Sequence, residues 1–271
     1  LTAADQVLKI RNSLLPSTLD YAVRTSPYYK ASLGEIYQRI QTVEDLLYLP
    51  ILDKQTLLAH QETILCNPQP DDLIGFSSGT TGRPLATRRN RAEIEEMRKC
   101  WELVNAHARE VKQRRRLILD VASGSHGIPL PSVNTNVIRV TAQTEDQLSW
   151  IRELLSSAFH FPEMDTRISV LQIGVKNLQI LTLYFLQEQA RFDEFALEMI
   201  STSGYHLSEQ WRQFLIEQWH ATLIDSYSLS EFPGNAATAC EDCGYYHFAL
   251  PTLVPEIVHP LTHQPIQSGL G

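Results

Sequence analysis

From Leu117 to Tyr227 short apolar runs alternate with amphipathic stretches, and this alternation constrains the fold more than any other feature of the sequence. Leu117-Ile-Leu-Asp-Val-Ala122 and Val137-Ile-Arg-Val-Thr141 are short runs rich in apolar and β-branched residues, which predict strands. Leu148, Ile151, Leu154 and Leu155 fall on one face of a helix drawn from Glu145 to Ser157. The pattern continues with a strand from Ile168 to Ile173, a helix from Asn177 to Gln189, a strand from Ala196 to Ser201, a helix from Ser208 to Trp219 and a strand from Thr222 to Tyr227. Strands alternating with helices predict an α/β fold of mostly parallel sheets flanked by helices. In such sheets ligands sit beyond the carboxyl ends of the strands.

The flanks read differently. Residues 1–65 predict a helical N-terminal part: Val7, Ile10, Leu14 and Leu15 recur near helical spacing, and Thr42-Val-Glu-Asp45 resembles a capping box ahead of Leu46 and Leu47. Residues 66–250 form the α/β body, opening with an apolar strand from Leu73 to Phe76, a Ser/Thr/Gly turn and a long polar helix over 91–112. Residues 251–271 are proline-rich, with Val254, Ile257 and Ile266 between turn signals, and predict the start of a β-rich segment of short antiparallel strands. Because the chain stops at Ser268-Gly-Leu-Gly271, inside an expected turn, a continuing natural polypeptide is expected.

Composition excludes several classes. A chain of 271 residues that is 43% hydrophobic and 20% charged has enough apolar surface for a large core without staples. No apolar stretch reaches the roughly 18 residues that span a bilayer, and the start lacks the regions of a signal peptide, so a cytoplasmic location and no membrane partner are expected. A net charge of −8 argues against a nucleic-acid surface. Of two local basic runs, Arg83, Arg88, Arg89 and Arg91 follow a glycine-rich stretch, whereas Lys112, Arg114, Arg115 and Arg116 read as a solvated helix end.

The chemistry concentrates in Ser77-Ser-Gly-Thr-Thr-Gly-Arg-Pro84, expected between a strand and a helix. Glycines let the backbone turn sharply so that its N–H groups face an anion, hydroxyls add donors and the arginine adds charge. That combination makes a phosphate cradle. No Lys-Ser/Thr follows Gly82, so it is not a Walker A loop, and G-x-G-x-x-G is absent. Downstream, Thr202-Ser-Gly-Tyr-His206 precedes an amphipathic helix, and Asp225-Ser-Tyr-Ser-Leu-Ser-Glu231 closes the last predicted strand.

Together these three stretches resemble the signatures of the adenylate-forming superfamily of acyl-CoA synthetases, adenylation domains and luciferases: its phosphate loop, its adenine-contacting Gly-Gly-Glu segment and its Tyr-Gly-x-Thr-Glu motif. Ser26-Pro-Tyr-Tyr-Lys30, Leu49-Pro-Ile-Leu-Asp-Lys54 and Pro255-Glu-Ile-Val-His-Pro-Leu-Thr262 are similar to segments of the phenylacetate-CoA ligase branch. The resemblance implies an AMP-forming acid–thiol ligase that converts a small carboxylic acid and ATP to an acyl-adenylate, then passes the acyl group to CoA or a carrier-protein thiol. It implies that Ser77, Ser78, Gly79, Thr80, Thr81, Gly82 and Arg83 hold phosphates, and that Ser203, Gly204, Tyr205, Asp225 and Tyr227 border the nucleotide. Ser230 would contact phosphate and Glu231 would hold magnesium, whose charge offsets that building on the phosphoryl oxygens. An acyl pocket is expected around His126, Gly127, Phe232, Pro233 and Gly234, with a core histidine as the other reading of His126.

The match departs from the family in places. Ser228 stands for the usual glycine, Tyr205 for an acidic residue and Leu85 for a lysine, and the C-terminal lid domain with its catalytic lysine lies outside the sequence. These departures leave open a non-catalytic nucleotide-binding relative or interaction platform, and an acyl-protein synthetase. A serine hydrolase is a weaker alternative, because Ser123-Gly-Ser-His-Gly127 has serine where a nucleophile elbow needs its first glycine.

Finally, Cys240-Glu-Asp-Cys243 with His247 offers three ligands for a structural zinc, with Cys66 as a fourth. Small buried thiols are the alternative.

Overall fold

The computed structural model describes residues 2–77, 83–96, 115–122, 136–162, 164–232, 235–240, 243–248, 253–259, 261–262 and 266, and all that follows concerns these. Contacts divide the chain into two compact units, Leu1–Asp72 with Phe248–Gly271, and Leu73–His247.

The first unit is built on helix α1 (Ala3–Thr25), whose start is fixed by a reciprocal capping box between Thr2 and Asp5. The Thr2 backbone N–H donating to the Asp5 carboxylate lowers its pKa from the ordinary value, helped by the Thr2 side chain. Helix α2 (Pro27–Leu33) begins with proline in its first turn and is capped by Ser26, a 1% exposed residue whose hydroxyl also donates to the Thr63 carbonyl at 3.1 Å. Leu19, Val23, Leu33 and Ile40 make the core, with Leu15, Tyr29, Tyr37, Leu46 and Leu49 packed on it. Thus the α1 stripe that packs is Leu15, Leu19 and Val23; Ile10 and Leu14, expected on the same face, are 42% and 51% exposed. The capping box at Thr42 and Asp45 is present, but it starts a 3-10 helix over Val43–Tyr48. A short helix α3 (Lys54–Ala59) follows, capped by Asp53. In the proline-rich tail, the expected antiparallel strands reduce among the described residues to a single bridge residue at Val258 and one bond from the Ile266 N–H to the Ile257 carbonyl, 2.9 Å. Frequent prolines remove ladder donors.

The second unit carries two sheets. Strands β1 (Leu73–Phe76) and β2 (Ala86–Arg89) pair antiparallel, Leu73 opposite Arg89 and Phe76 opposite Ala86. The larger sheet comprises β3 (Arg115–Ala122), β4 (Val137–Thr141), β5 (Met164–Gly174), β6 (Met199–Ser203), β7 (Thr222–Ser228), β8 (Asn235–Ala239) and β9 (Tyr246–Phe248), in the order β4-β3-β5-β6-β7-β8-β9. The pairs from β4 to β7 are parallel and β8 joins antiparallel. The expectation of a mostly parallel α/β sheet is met.

Helices α4 (Glu145–Ser156), α5 (Val175–Gln187) and α6 (Glu209–Trp219) supply the cover. α4 starts at a capping box between Thr144 and Gln147 and buries Leu148, Ile151 and Leu155. Ile168, Val170 and Leu171 of β5 are no more than 1% exposed, as expected of a strand covered on both faces. Phe185 sits at the centre of an aromatic cluster with Phe192, Phe195 and Trp219, ring centroids 5.5–6.0 Å from its own. The Trp219 indole N–H donates to the Thr182 hydroxyl at 2.8 Å, satisfying the one polar group of that ring. Among the described residues no helix is long and apolar enough to cross a membrane.

Arg116, expected in a solvated helix end, instead belongs to β3: its carbonyl accepts from Asn136 at 2.7 Å and its guanidinium lies 3.7 Å from Glu198. Lys112 and Arg114 lie outside the described residues.

Candidate functional site

The proposed phosphate loop is anchored by a hairpin. At its base the Ser77 N–H donates to the Leu85 carbonyl and the Leu85 N–H donates to the Ser77 hydroxyl, both at 2.9 Å. Leu85 is 4% exposed, so its apolar side chain packs inward at the loop base. The sequence places this loop between a strand and a helix. The structure corrects that: the chain leaves β1, returns into β2 and only then becomes helical at 91–96. A four-residue strand with two arginines, Ala86–Arg89, has no apolar run by which to recognise it. Arg83 is exposed; Ser78, Gly79, Thr80, Thr81 and Gly82 lie outside the described residues.

The two downstream motifs sit side by side. β6 and β7 are parallel, with Thr202 opposite Asp225 and Ser203 opposite Ser226, so both chains leave the sheet at the same edge. At the end of β6, Gly204 has φ +91°, a conformation that side chains rarely adopt, and it turns the chain toward α6. Ser203 is half-buried beside it. Tyr205 packs on the core, and the Lys176 ammonium lies 3.9 Å from its ring centroid, covering one face. At the end of β7, Tyr227 is 46% exposed and its ring is open to a ligand. Ser230 is half-buried, and the Glu231 carboxylate is exposed with no protein partner among the described residues.

Arg89 joins the hairpin to this edge. Its guanidinium, on a residue only 8% exposed, donates to the carbonyls of Ser230 at 2.9 Å and Phe232 at 3.1 Å, and pairs with Glu93 at 3.1 Å. One side chain therefore fixes the backbone on both sides of Glu231. In the sequence Arg89 is merely one of a basic run, and no local signal reveals its partners 141 and 143 residues away.

Asp225, expected at the nucleotide, is 1% exposed. The Tyr246 hydroxyl of β9 donates to its Oδ2, with the Arg212 guanidinium at 4.0 Å. Its Oδ1 is buried with no protein donor among the described residues. Burial pushes the carboxyl pKa up, against the lowering effects of Tyr246 and Arg212. Burial and the adjoining carboxylate push Tyr246 up to about 12. Tyr246 carries no sequence signal of this role.

Of the expected acyl pocket, Phe232 is half-buried at the Arg89 clamp, whereas His126, Gly127, Pro233 and Gly234 lie outside the described residues, as does Ser123 to Gly127 of the hydrolase alternative. Of the expected zinc ligands, the structure brings Cys240, Cys243 and His247 together, their ligand atoms all within 4.8 Å of one another. Cys66 is half-buried in the helical unit, close enough to the Tyr29 hydroxyl to help burial raise that group's pKa.

No family model matches the chain, and no curated protein matches it in sequence. Solved structures do match. An open conformation of 2-hydroxyisobutyryl-CoA ligase in complex with 2-HIB-AMP and CoA superposes with a TM-score of 0.68 at 17% identity, covering 90% of this chain and 58% of that one. The same ligase in its thioesterification state gives 0.68 at 18% identity, with 90% and 53% covered. Its postadenylation state with 2-HIB-AMP gives 0.68 at 17%, again with 90% and 53%. The chain thus has the fold of an adenylate-forming CoA ligase and spans little more than half the length of these structures.

Proposed function

We propose that this chain is the nucleotide-binding body of an ATP-dependent carboxylate-activating enzyme, an AMP-forming acid–thiol ligase of the phenylacetate-CoA ligase type. The observation that carries the reading is Arg89, at the end of the β1–β2 pair away from the Ser77–Pro84 turn, which ties that pair to the backbone around Glu231, near where β6 and β7 deliver Ser203 and Tyr227. This link supports assigning the stretches that resemble phosphate, adenine and metal motifs to one site. The fold it shares with a ligase solved with an acyl-AMP and CoA supports the same chemistry.

In the first step a carboxylate oxygen of the acid attacks the α-phosphorus of ATP; the new O–P bond forms as the bond to the pyrophosphate oxygen breaks. In the second, a thiol sulfur attacks the acyl carbonyl carbon, the C–O bond to AMP breaks and the thiol proton leaves to solvent. Ser77 to Arg83 would hold the phosphates, Tyr227 would offer a ring to adenine, and Ser230 would donate to phosphate. Asp225 stands behind them and holds Tyr246 and Arg212 in place. The exposed Glu231 carboxylate, without a protein partner among the described residues, fits a magnesium ion, which binds through one or two carboxylates plus substrate phosphates and would neutralise their charge.

The acceptor is CoA or a carrier-protein thiol, and the site of action is cytoplasmic. A non-catalytic nucleotide-binding relative is the second reading, favoured by Tyr205, whose ring is covered by Lys176 where relatives carry an acidic residue.

The test is pyrophosphate release from ATP by the full-length protein across aryl and fatty acids, beside Glu231→Ala. Release that depends on one acid and is lost in the variant is expected. Tight binding of an acyl-sulfamoyl adenosine without release from any acid would transfer the assignment to the non-catalytic reading.

A further inference from the structure

The β8–β9 turn contains a cluster of donors that nucleotide chemistry does not use. The chain leaves β8 at Cys240, whose carbonyl accepts from the Gly244 N–H and whose N–H donates to the Tyr245 carbonyl, both at 2.9 Å. Gly244 has φ +71°, a backbone that a side chain would strain, and it folds the turn tightly enough to place both thiols on one side. Cys243 Sγ lies 3.2 Å from His247 Nε2. All three ligand atoms of Cys240, Cys243 and His247 fall within 4.8 Å of each other.

A tetrahedral zinc with Zn–S near 2.3 Å and Zn–N near 2.0–2.1 Å requires sulfur–sulfur and sulfur–nitrogen separations of about 3.8 and 3.6 Å. The observed cluster brackets those values, so side-chain rotations would suffice to close on an ion. Two thiolates and an imidazole are soft and borderline donors, which choose zinc over magnesium or calcium. Burial does not explain the grouping: Cys243 and His247 are exposed and Cys240 is half-buried, whereas cysteines kept for packing are among the most buried residues.

We propose that Cys240, Cys243 and His247 bind a structural zinc ion that staples β9 to β8. Binding converts two thiols to thiolates and releases their protons to solvent. The fourth position of the tetrahedron remains for a further donor. The site has a purpose in the fold: β9 is a three-residue edge strand, exposed along its length, and its Tyr246, between two of the ligands, donates to Asp225. So short a strand holds little stability of its own, and a metal at its start fixes the tyrosine that satisfies a buried carboxylate.

The test does not involve ATP. The protein is purified without a polyhistidine tag or chelator, under reducing conditions, and its metal is measured by plasma mass spectrometry; about one zinc per chain is expected. Cobalt(II) added to chelator-stripped wild-type protein should give thiolate-to-cobalt charge-transfer absorption and the intense visible bands of a tetrahedral site. Cys240→Ser, Cys243→Ser and His247→Ala, each checked for native circular dichroism, should lose metal by at least about tenfold. Absence of zinc together with no cobalt absorption in the wild-type protein would overturn the proposal whether or not the variants fold. So would an intact mass showing a Cys240–Cys243 disulfide in the protein as isolated from cytoplasm.

Discussion

The centre and the rim of the large sheet are built on different principles. In β3 and β5, Leu117, Leu119, Ile168 and Leu171 are no more than 1% exposed and meet the apolar faces of α4 and α5. From β7 outward, buried positions include Asp225 and Ser226, and β9 is exposed throughout. The centre is held by many interchangeable contacts, each individually weak. The rim is held by a few directed ones: Arg89 on the carbonyls of Ser230 and Phe232, and Tyr246 on Asp225. Substitutions at the centre should therefore cost stability and leave binding alone, whereas substitutions at the rim should cost less stability and disturb binding as well.

The strongest challenge to that division is Phe185→Ala. Removing a fully buried ring from among Phe192, Phe195 and Trp219 should cost about 3–5 kcal/mol in urea unfolding. The remaining folded fraction should bind nucleotide with unchanged affinity. Next in size, Arg89→Met strips donors from two carbonyls and should cost about 1–3 kcal/mol. Unlike the Phe185 variant, it should weaken ATP binding in calorimetry at temperatures where it is fully folded. An Arg89 variant that binds ATP like wild type would place the clamp with the scaffold.

Tyr246→Phe should cost about 1–2 kcal/mol at neutral pH and less in acid. The sign follows from Asp225, whose folded pKa already stands above its ordinary 3.8 and would rise further without the tyrosine donor. A carboxyl raised in the folded state keeps its full contribution below the unfolded value and loses it as pH climbs through the folded one. The gap between variant and wild type should thus open above pH 3.8 in pH-dependent urea melts. Smallest in stability is Glu231→Ala, an exposed position worth no more than about 0.5 kcal/mol, yet in the full-length protein it should abolish acid-dependent pyrophosphate release.

Local patterns made the centre legible in the sequence. Helix α4 follows from the spacing of Leu148, Ile151, Leu154 and Leu155, and β3 and β5 from continuous apolar runs. What periodicity could not supply was which face wins. Ile10 and Leu14 have the spacing of a buried stripe, but α1 turns Leu15, Leu19 and Val23 inward. β6 runs from Met199 to Ser203, starting three residues later than the Ala196 expected from its apolar pattern. At the proposed site, Ser77, Tyr227 and Glu231 are named by motif order alone. Arg89 and Tyr246 are not, since their meaning lies in partners far along the chain and nothing in a window of ten residues distinguishes them. Cys240, Cys243 and His247 were legible as spacing, and the turn at Gly244 gives that spacing a geometry.

The clamp between Arg89 and the Glu231 turn also bears on how the protein is made. A ribosome delivers residues in order, at roughly 5–20 per second, and domains fold as their segments emerge. β5 can dock on β3, and β6 and β7 can each dock on the strand made just before them. Arg89 cannot: its acceptors emerge 141 and 143 residues after it, when the parallel core is already complete. During that interval the arginine and its hairpin wait for partners, and the site acquires its final form only after the scaffold has stopped changing. Nascent chains halted before Ser230 should therefore contain the parallel sheet without the Arg89 clamp, so that synthesis itself separates the folding of the core from the closing of the rim.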